Sequence, residues 1–156
     1  MKLHPATGRN SYCGPTSISA ITGCSTDDVS LIHRWITGKR SVKGMYHMEL
    51  VPVMTWLGYA VDFEDTTYRT LLALGRNDRR RMIVNVTGHY TAICDGWCVD
   101  TVSPNGVELE RLCRGKLSRV KRLLIPTKTH EPKPVPTRER LKRKHPHLFR
   151  RGNPKR

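Results

Sequence analysis

The stretch 82-MIVNVTGHYTAICDGWCVDTV-102 reads as three β-strands in succession. MIVNV (82–86), HYTAIC (89–94) and WCVDTV (97–102) are rich in β-branched and aromatic residues, and Asp95-Gly96 is a strong two-residue hairpin turn. With that turn, Cys94 faces Trp97, Thr91 faces Asp100 and His89 faces Val102. Side chains alternate along a strand, so His89, Thr91, Cys98, Asp100 and Val102 share one face. His89 and Asp100 are then diagonal neighbours, with Cα atoms roughly 7–8 Å apart, near enough for a carboxylate to orient an imidazole. The same register puts Cys94 and Cys98 on opposite faces. That argues against zinc shared among His89, Cys94, Cys98 and Cys113, and no metal or other cofactor is expected.

Upstream the period changes to that of helices. Residues 13–23 form a first helix, with Pro15 tolerated in its first turn and Gly23 as its stop. A second covers 26–37, capped by Ser25 or Thr26 and ended by Gly38, and a third covers 47–57. The segment 38–44 is a basic loop. YAVDF (59–63) alternates as a strand, a short helix fills 67–74, 75–78 is a turn, Asn105-Gly106 marks a second hairpin turn, and 120–126 is a last strand. Helices followed by an antiparallel meander define an α+β domain over 1–126. His33 and His47 are expected on solvent-facing or capping positions. Trp35, Trp56 and Trp97 are expected as core or cleft wall, and Arg79, Arg80 and Arg81 as a solvated edge.

The helix at 13 begins with a thiol, in 10-NSYCGPTS-17. The positive end of a helix lowers a cysteine's pKa, and the thiolate is the nucleophilic form. A nucleophile needs a base, and the base an orienting group. His89 and Asp100 supply both types in the derived register, which is the logic of a catalytic triad headed by sulfur.

Cys-Gly-Pro at a helix start, Gly-His-Tyr opening a strand and an acid on the next strand (YCGPTS, GHY, VDT) resemble the papain-like cysteine peptidases. The closest likeness is to the compact branch that includes the bacteriocin-leader (double-glycine) peptidases, and it covers about residues 8–126. Small proteins of this pattern also occur in bacteriophage genomes. The resemblance implies Cys13 as nucleophile, His89 as general base and Asp100 as orienting acid. It also implies helices packed on an antiparallel sheet with a cleft between, and a peptide or protein substrate. Deamidation or acyl transfer would use the same three residues. One departure stands out: that family sets a glutamine shortly before the cysteine to bind the oxyanion, and this chain has no Gln. Asn10 is the nearest amide and would serve beside the backbone N–H of Cys13; losing one such donor costs about 10²–10³ in rate.

Charge divides the chain unevenly. Of a net +15, residues 127–156 carry eleven Lys or Arg against two Glu. Their five prolines and few apolar residues predict an extended or disordered basic arm. The arm is expected to hold nucleic acid or an acidic surface through Lys142, Arg143, Lys144, Arg150, Arg151, Lys155 and Arg156, mainly by phosphate contacts without sequence preference. Five cysteines fit no disulfide framework, the first ten residues hold no apolar leader core, and no apolar run spans a membrane. A reducing compartment follows as the expectation, either cytoplasm or, for a viral protein, host cytoplasm or virion. Two functions are thus in view. One is a thiol hydrolase tethered by its arm to nucleic acid or an assembly. The other is a non-catalytic papain-like virion protein that binds nucleic acid through the same arm.

Overall fold

The structure, a computed structural model, describes residues 2–65, 70–112 and 119–149. Cys113, Arg150, Arg151, Lys155, Arg156 and residues 67–69 of the expected short helix lie outside the described residues. Among the described residues the chain is α+β. Its α-helices are α1 (Cys13–Thr22), α2 (Thr26–Thr37), α3 (His47–Trp56), α4 (Leu71–Asn77) and α5 (Arg138–Lys144). They accompany an antiparallel sheet of β1 (Tyr59–Asp65), β2 (Met82–Val86), β3 (His89–Cys94), β4 (Trp97–Val99), β5 (Val107–Glu108) and β6 (Arg122–Lys128).

The strand order is β1-β6-β2-β3-β4-β5, so the last long strand inserts between β1 and β2 and the sheet is not the plain meander expected. The β3–β4 register is the one derived from Asp95-Gly96, with Cys94 opposite Trp97 and Ile93 opposite Cys98. Both turn residues adopt positive φ, 51° and 74°, which is why Asp-Gly suits the position. Strand β4 nevertheless stops at Val99. The Asp100 carboxylate accepts the backbone N–H groups of Val102 and Ser103 at 2.9 and 2.8 Å, bending the chain out of the ladder. Asn105-Gly106 therefore lies in a longer connection between β4 and β5.

The two sheet faces bury different clusters. Ile83, Tyr90, Ala92, Cys94, Val99 and Leu124 pack toward α1, α2 and α3, with Ile18, Ile21, Ile32, Leu50 and Met54 opposite them. Met82, Val84, Ile93, Cys98 and Leu123 pack toward α4 and the turn at Leu109. Cys94 and Cys98 do lie on opposite faces. Burial of the two clusters is what gives the sheet its position, since each fully buried large aliphatic side chain contributes about 1.5–3 kcal/mol. No helix among the described residues is long and apolar enough to cross a membrane.

Several local expectations fail for identifiable reasons. His33 is fully buried, its Nε2 3.6 Å from Glu49 Oε2 while Lys39 approaches the other carboxylate oxygen, and burial holds its pKa down. His47 is half-buried, and its Nδ1 lies 3.0 Å from the Tyr90 hydroxyl. Trp97 is exposed beside Gly106 rather than in the core. Of the three arginines, Arg79 and Arg80 are exposed, as expected of a solvated edge, whereas Arg81 is partly buried. Arg79 approaches Asp95, Arg80 grips Glu64 and Asp78, and Arg81 donates to the carbonyls of Ile21 and Lys2.

The boundary expected at 126 falls inside β6, and residues 127–149 are folded against the domain. The backbone N–H groups of Thr129 and His130 donate to the Gly58 carbonyl, and that of Lys133 to Trp56. Gly58 has φ +93°, and a Cβ there would meet the His130 carbonyl oxygen at 2.2 Å, so only glycine admits this crossing. The strap then enters α5, capped by Thr137, whose Leu141 is wholly buried. Lys144 and His145 bond the Trp35 carbonyl at 3.0 Å each, and the Lys144 ammonium lies 4.2 Å over the Trp35 ring. The arm folds through single apolar anchors and cation–aromatic contacts, which composition alone does not reveal.

Candidate active site

The N-terminus of α1 meets the start of β3. Tyr12 occupies the cap position with extended backbone, so Cys13 is the first helical residue, where N–H groups have no intrahelical acceptor. Gly14 follows because Met45 lies against it: a Cβ at that position would stand 2.9 Å from the Met45 side chain. His89 is placed by a two-residue turn, Thr87-Gly88, with φ values of 49° and 78°, and pairs directly with Val86.

The structure brings Cys13, His89 and Asp100 together. Burial pushes the Cys13 thiol up, yet a hydrogen bond from His89, the Tyr90 backbone N–H, the His89 charge and the Gly14 backbone N–H together outweigh it. Its pKa therefore lies below the ordinary thiol value. The His89 Nε2 lies 4.0 Å from Asp100 Oδ2, which leaves Nδ1 as the ring nitrogen for the sulfur. Asp100 is only 4% exposed, and its other carboxylate oxygen is fixed by Val102 and Ser103. The bend that ends β4 early thereby holds the acid beside the imidazole. A 4.0 Å gap is an ion-pair distance rather than a hydrogen bond.

The other described cysteines run the opposite way. Burial raises Cys24 to about 11, raises Cys94, and raises Cys98 to about 12, with nearby carboxylates adding to each. Cys13 is the one whose surroundings favour thiolate.

Asn10 takes a different place from the one expected of an oxyanion donor. Its Nδ2 donates to Ser30 Oγ at 2.8 Å and to the Val42 carbonyl at 3.4 Å, and its Oδ1 accepts the Tyr12 N–H at 3.0 Å. Both amide hydrogens are committed, and the residue ties the loop before Cys13 to α2 and the 38–44 loop. Lys142, Arg143 and Lys144 are exposed on α5, Lys144 being partly engaged at Trp35.

Sequence reasoning missed the Tyr90 and Gly14 backbone donors and the half-buried His47–Tyr90 pair behind them. Backbone donors leave no trace in residue type; the cue available was that a helix-start sulfur must face some strand's N–H groups. No group of metal-ligating side chains occurs among the described residues. Compared with family models and with curated proteins, the chain matches none.

Proposed function

We propose that this chain is a thiol-dependent hydrolase of papain-like architecture that cleaves a peptide or isopeptide bond. The observation that carries the reading is the contrast among its thiols: Cys13 alone of the described cysteines is shifted toward thiolate, and it is the one beside His89 and Asp100.

The Cys13 thiolate attacks the carbonyl carbon, and the carbonyl electron pair moves to oxygen. The free backbone N–H of Cys13 at the start of α1 faces that charge. The His89 imidazolium gives its proton to the leaving amine as the C–N bond breaks, leaving a thioester on Cys13. Water, deprotonated by His89, then attacks the thioester, releases the acid and restores the thiolate–imidazolium pair. Asp100 keeps the ring oriented and balances its charge. An amine in place of water would give acyl transfer, and a side-chain amide in place of a peptide would give deamidation.

A second reading has an observation of its own. With the Asn10 amide committed elsewhere, a non-catalytic papain-like protein that holds nucleic acid through Lys142, Arg143 and Lys144 is favoured by that missing donor. Iodoacetamide labelling of the full chain across pH, read by mass spectrometry at each cysteine, separates the two. Cys13 labelling well below pH 7, ahead of Cys24, Cys94 and Cys98, supports the hydrolase and justifies a peptide-library digest with Cys13→Ala as the blank. Four cysteines labelling alike would remove the catalytic reading.

A further inference from the structure

Beside the helix that carries Cys13, the loop before it, α2, the basic loop, α5 and Phe149 border an open groove of about 720 Å³. Its lining includes Ser11 and Tyr12, the two residues that lead directly into Cys13. Four cations surround it, Arg9, Arg34, Lys43 and Arg138, against one carboxylate, Asp27, whose Oδ2 already accepts the Arg9 backbone N–H at 3.2 Å. None of the four is ion-paired to a carboxylate among the described residues. The Arg34 Nε is buried with no hydrogen-bond partner. A buried donor on a guanidinium without an ion pair is destabilising until an acceptor reaches it, and a concave rim of one charge sign concentrates counter-charge.

Between these cations the walls mix polar side chains, among them Asn10, Ser11, Ser30 and Ser41, with apolar ones. The apolar ones are Leu31, Val42, Leu141 and Phe149, with the Arg138 guanidinium 5.8 Å from the Phe149 ring. A phosphodiester chain bound without sequence preference tracks an open, uniformly basic groove. This groove is not uniformly basic: aliphatic and aromatic side chains and Asp27 stand among its cations, a mixture that matches side chains alternating carboxylates with hydrocarbon.

We propose that this groove binds an acidic peptide segment carrying aliphatic side chains, and so selects the substrate whose scissile bond is laid across Cys13. The proposal rests on the hydrolase reading and gives it a substrate class. It also gives the folded arm a task, since Arg138, Leu141 and Phe149 form one wall and α5 becomes part of the recognition site.

Full-length Cys13→Ala protein is titrated, by fluorescence polarisation, with a labelled dodecapeptide alternating Glu and Leu, with its Lys-for-Glu counterpart, and with an oligothymidylate. Expected is saturable binding of the acidic peptide and none of the basic one. The combined Arg9→Glu, Lys43→Glu and Arg138→Glu variant should weaken it at least about tenfold, as loss of charge complementarity does. Lys142→Glu with Arg143→Glu, the same type of change on the exposed part of α5, should change it less than about twofold, since exposed charges away from a contact contribute little. Unchanged affinity in the groove variant, or equal loss in both variants, overturns the proposal. So does a groove variant that loses only the oligothymidylate. Should the combined variant lack native circular dichroism, Lys43→Glu alone, on an exposed loop, must still weaken the peptide at least about threefold. Binding is read without turnover, so its failure leaves the alkylation result at Cys13 standing, and a silent Cys13 leaves the binding result standing.

Discussion

Cys13 and Cys98 sit on opposite sides of the same sheet, and burial raises the pKa of both. At Cys98, beneath β4 and walled by Ile93, Leu109 and the rest of the second core, nothing offsets it, the Asp100 charge adds to it, and the thiol is pushed up to about 12. At Cys13, on the rim where α1 begins, burial is again the largest single influence, yet an imidazole and two backbone N–H groups reverse the outcome. The same carboxylate lies near both regions: Asp100 disfavours the Cys98 thiolate directly, and it stands 4.0 Å from His89, the residue whose hydrogen bond and charge lower the Cys13 thiol. Desolvation is thus not what distinguishes the two thiols here. Oriented donors are.

The largest expected effect follows from removing the main donor. In His89→Ala, Cys13 keeps its burial and only the Tyr90 and Gly14 N–H groups, so its pKa rises. Each unit of rise leaves tenfold less thiolate below neutrality, and the alkylation rate there should fall about 10–100-fold, toward that of Cys24. A rate within about twofold of wild type would mean that the backbone donors alone set the thiol, and the comparison would lose its imidazole.

Asp100 allows its two duties to be separated. Asp100→Ala leaves the N–H groups of Val102 and Ser103 without their acceptor in a buried bend, so urea denaturation should show a loss of about 1–3 kcal/mol. Asp100→Asn retains an oxygen for those donors and should cost less than about 1 kcal/mol, while still slowing Cys13 alkylation because the charge facing His89 is gone. If the two variants are equally stable, Asp100 does not hold the bend; if Asn leaves the alkylation profile intact, it does not hold the imidazole.

The same residue marks how far the sequence could be read. Asp95-Gly96 specified the β3–β4 register, because few other pairs accept two positive φ values, and that register placed His89 and Asp100 together. VDTV alternates as a strand should, however, and nothing in its pattern signals that the Asp100 side chain would outcompete the ladder for Val102 and Ser103. The insertion of β6 between β1 and β2 depends on long-range pairing of Arg122–Lys128, which no local pattern carries. The arm was the poorest read. Leu141 buries itself completely, but one leucine among Lys and Arg looks like a solvated segment until Trp35 and Trp56 are known to lie under it. Asn10 was rightly singled out as the nearest amide, and only its three hydrogen bonds show that it braces the loop.

The smallest expected effect tests the comparison from the side of stability, and its sign differs between the two thiols. A group whose pKa is raised on folding stabilises the native state below its unfolded pKa and ceases to do so as pH climbs. Cys98 titrates at about 12 when folded, so from the unfolded value near pH 8.5 upward the unfolded chain sheds its proton first and the native state loses ground. By about pH 10 this amounts to about 1–2 kcal/mol for a fully buried thiol. Cys13 is lowered on folding, so its contribution is present above the unfolded pKa and fades as pH falls through the folded one. In urea titrations from about pH 7 to 10, Cys98→Ala should therefore lose less stability with rising pH than wild type, and Cys13→Ala should lose more. Alanine at Cys98 also removes packed sulfur, which displaces that curve downward at every pH without changing its slope. Two mutant slopes deviating in the same direction would show that donors do not reverse burial at Cys13, and the distinction between the rim and the interior would collapse.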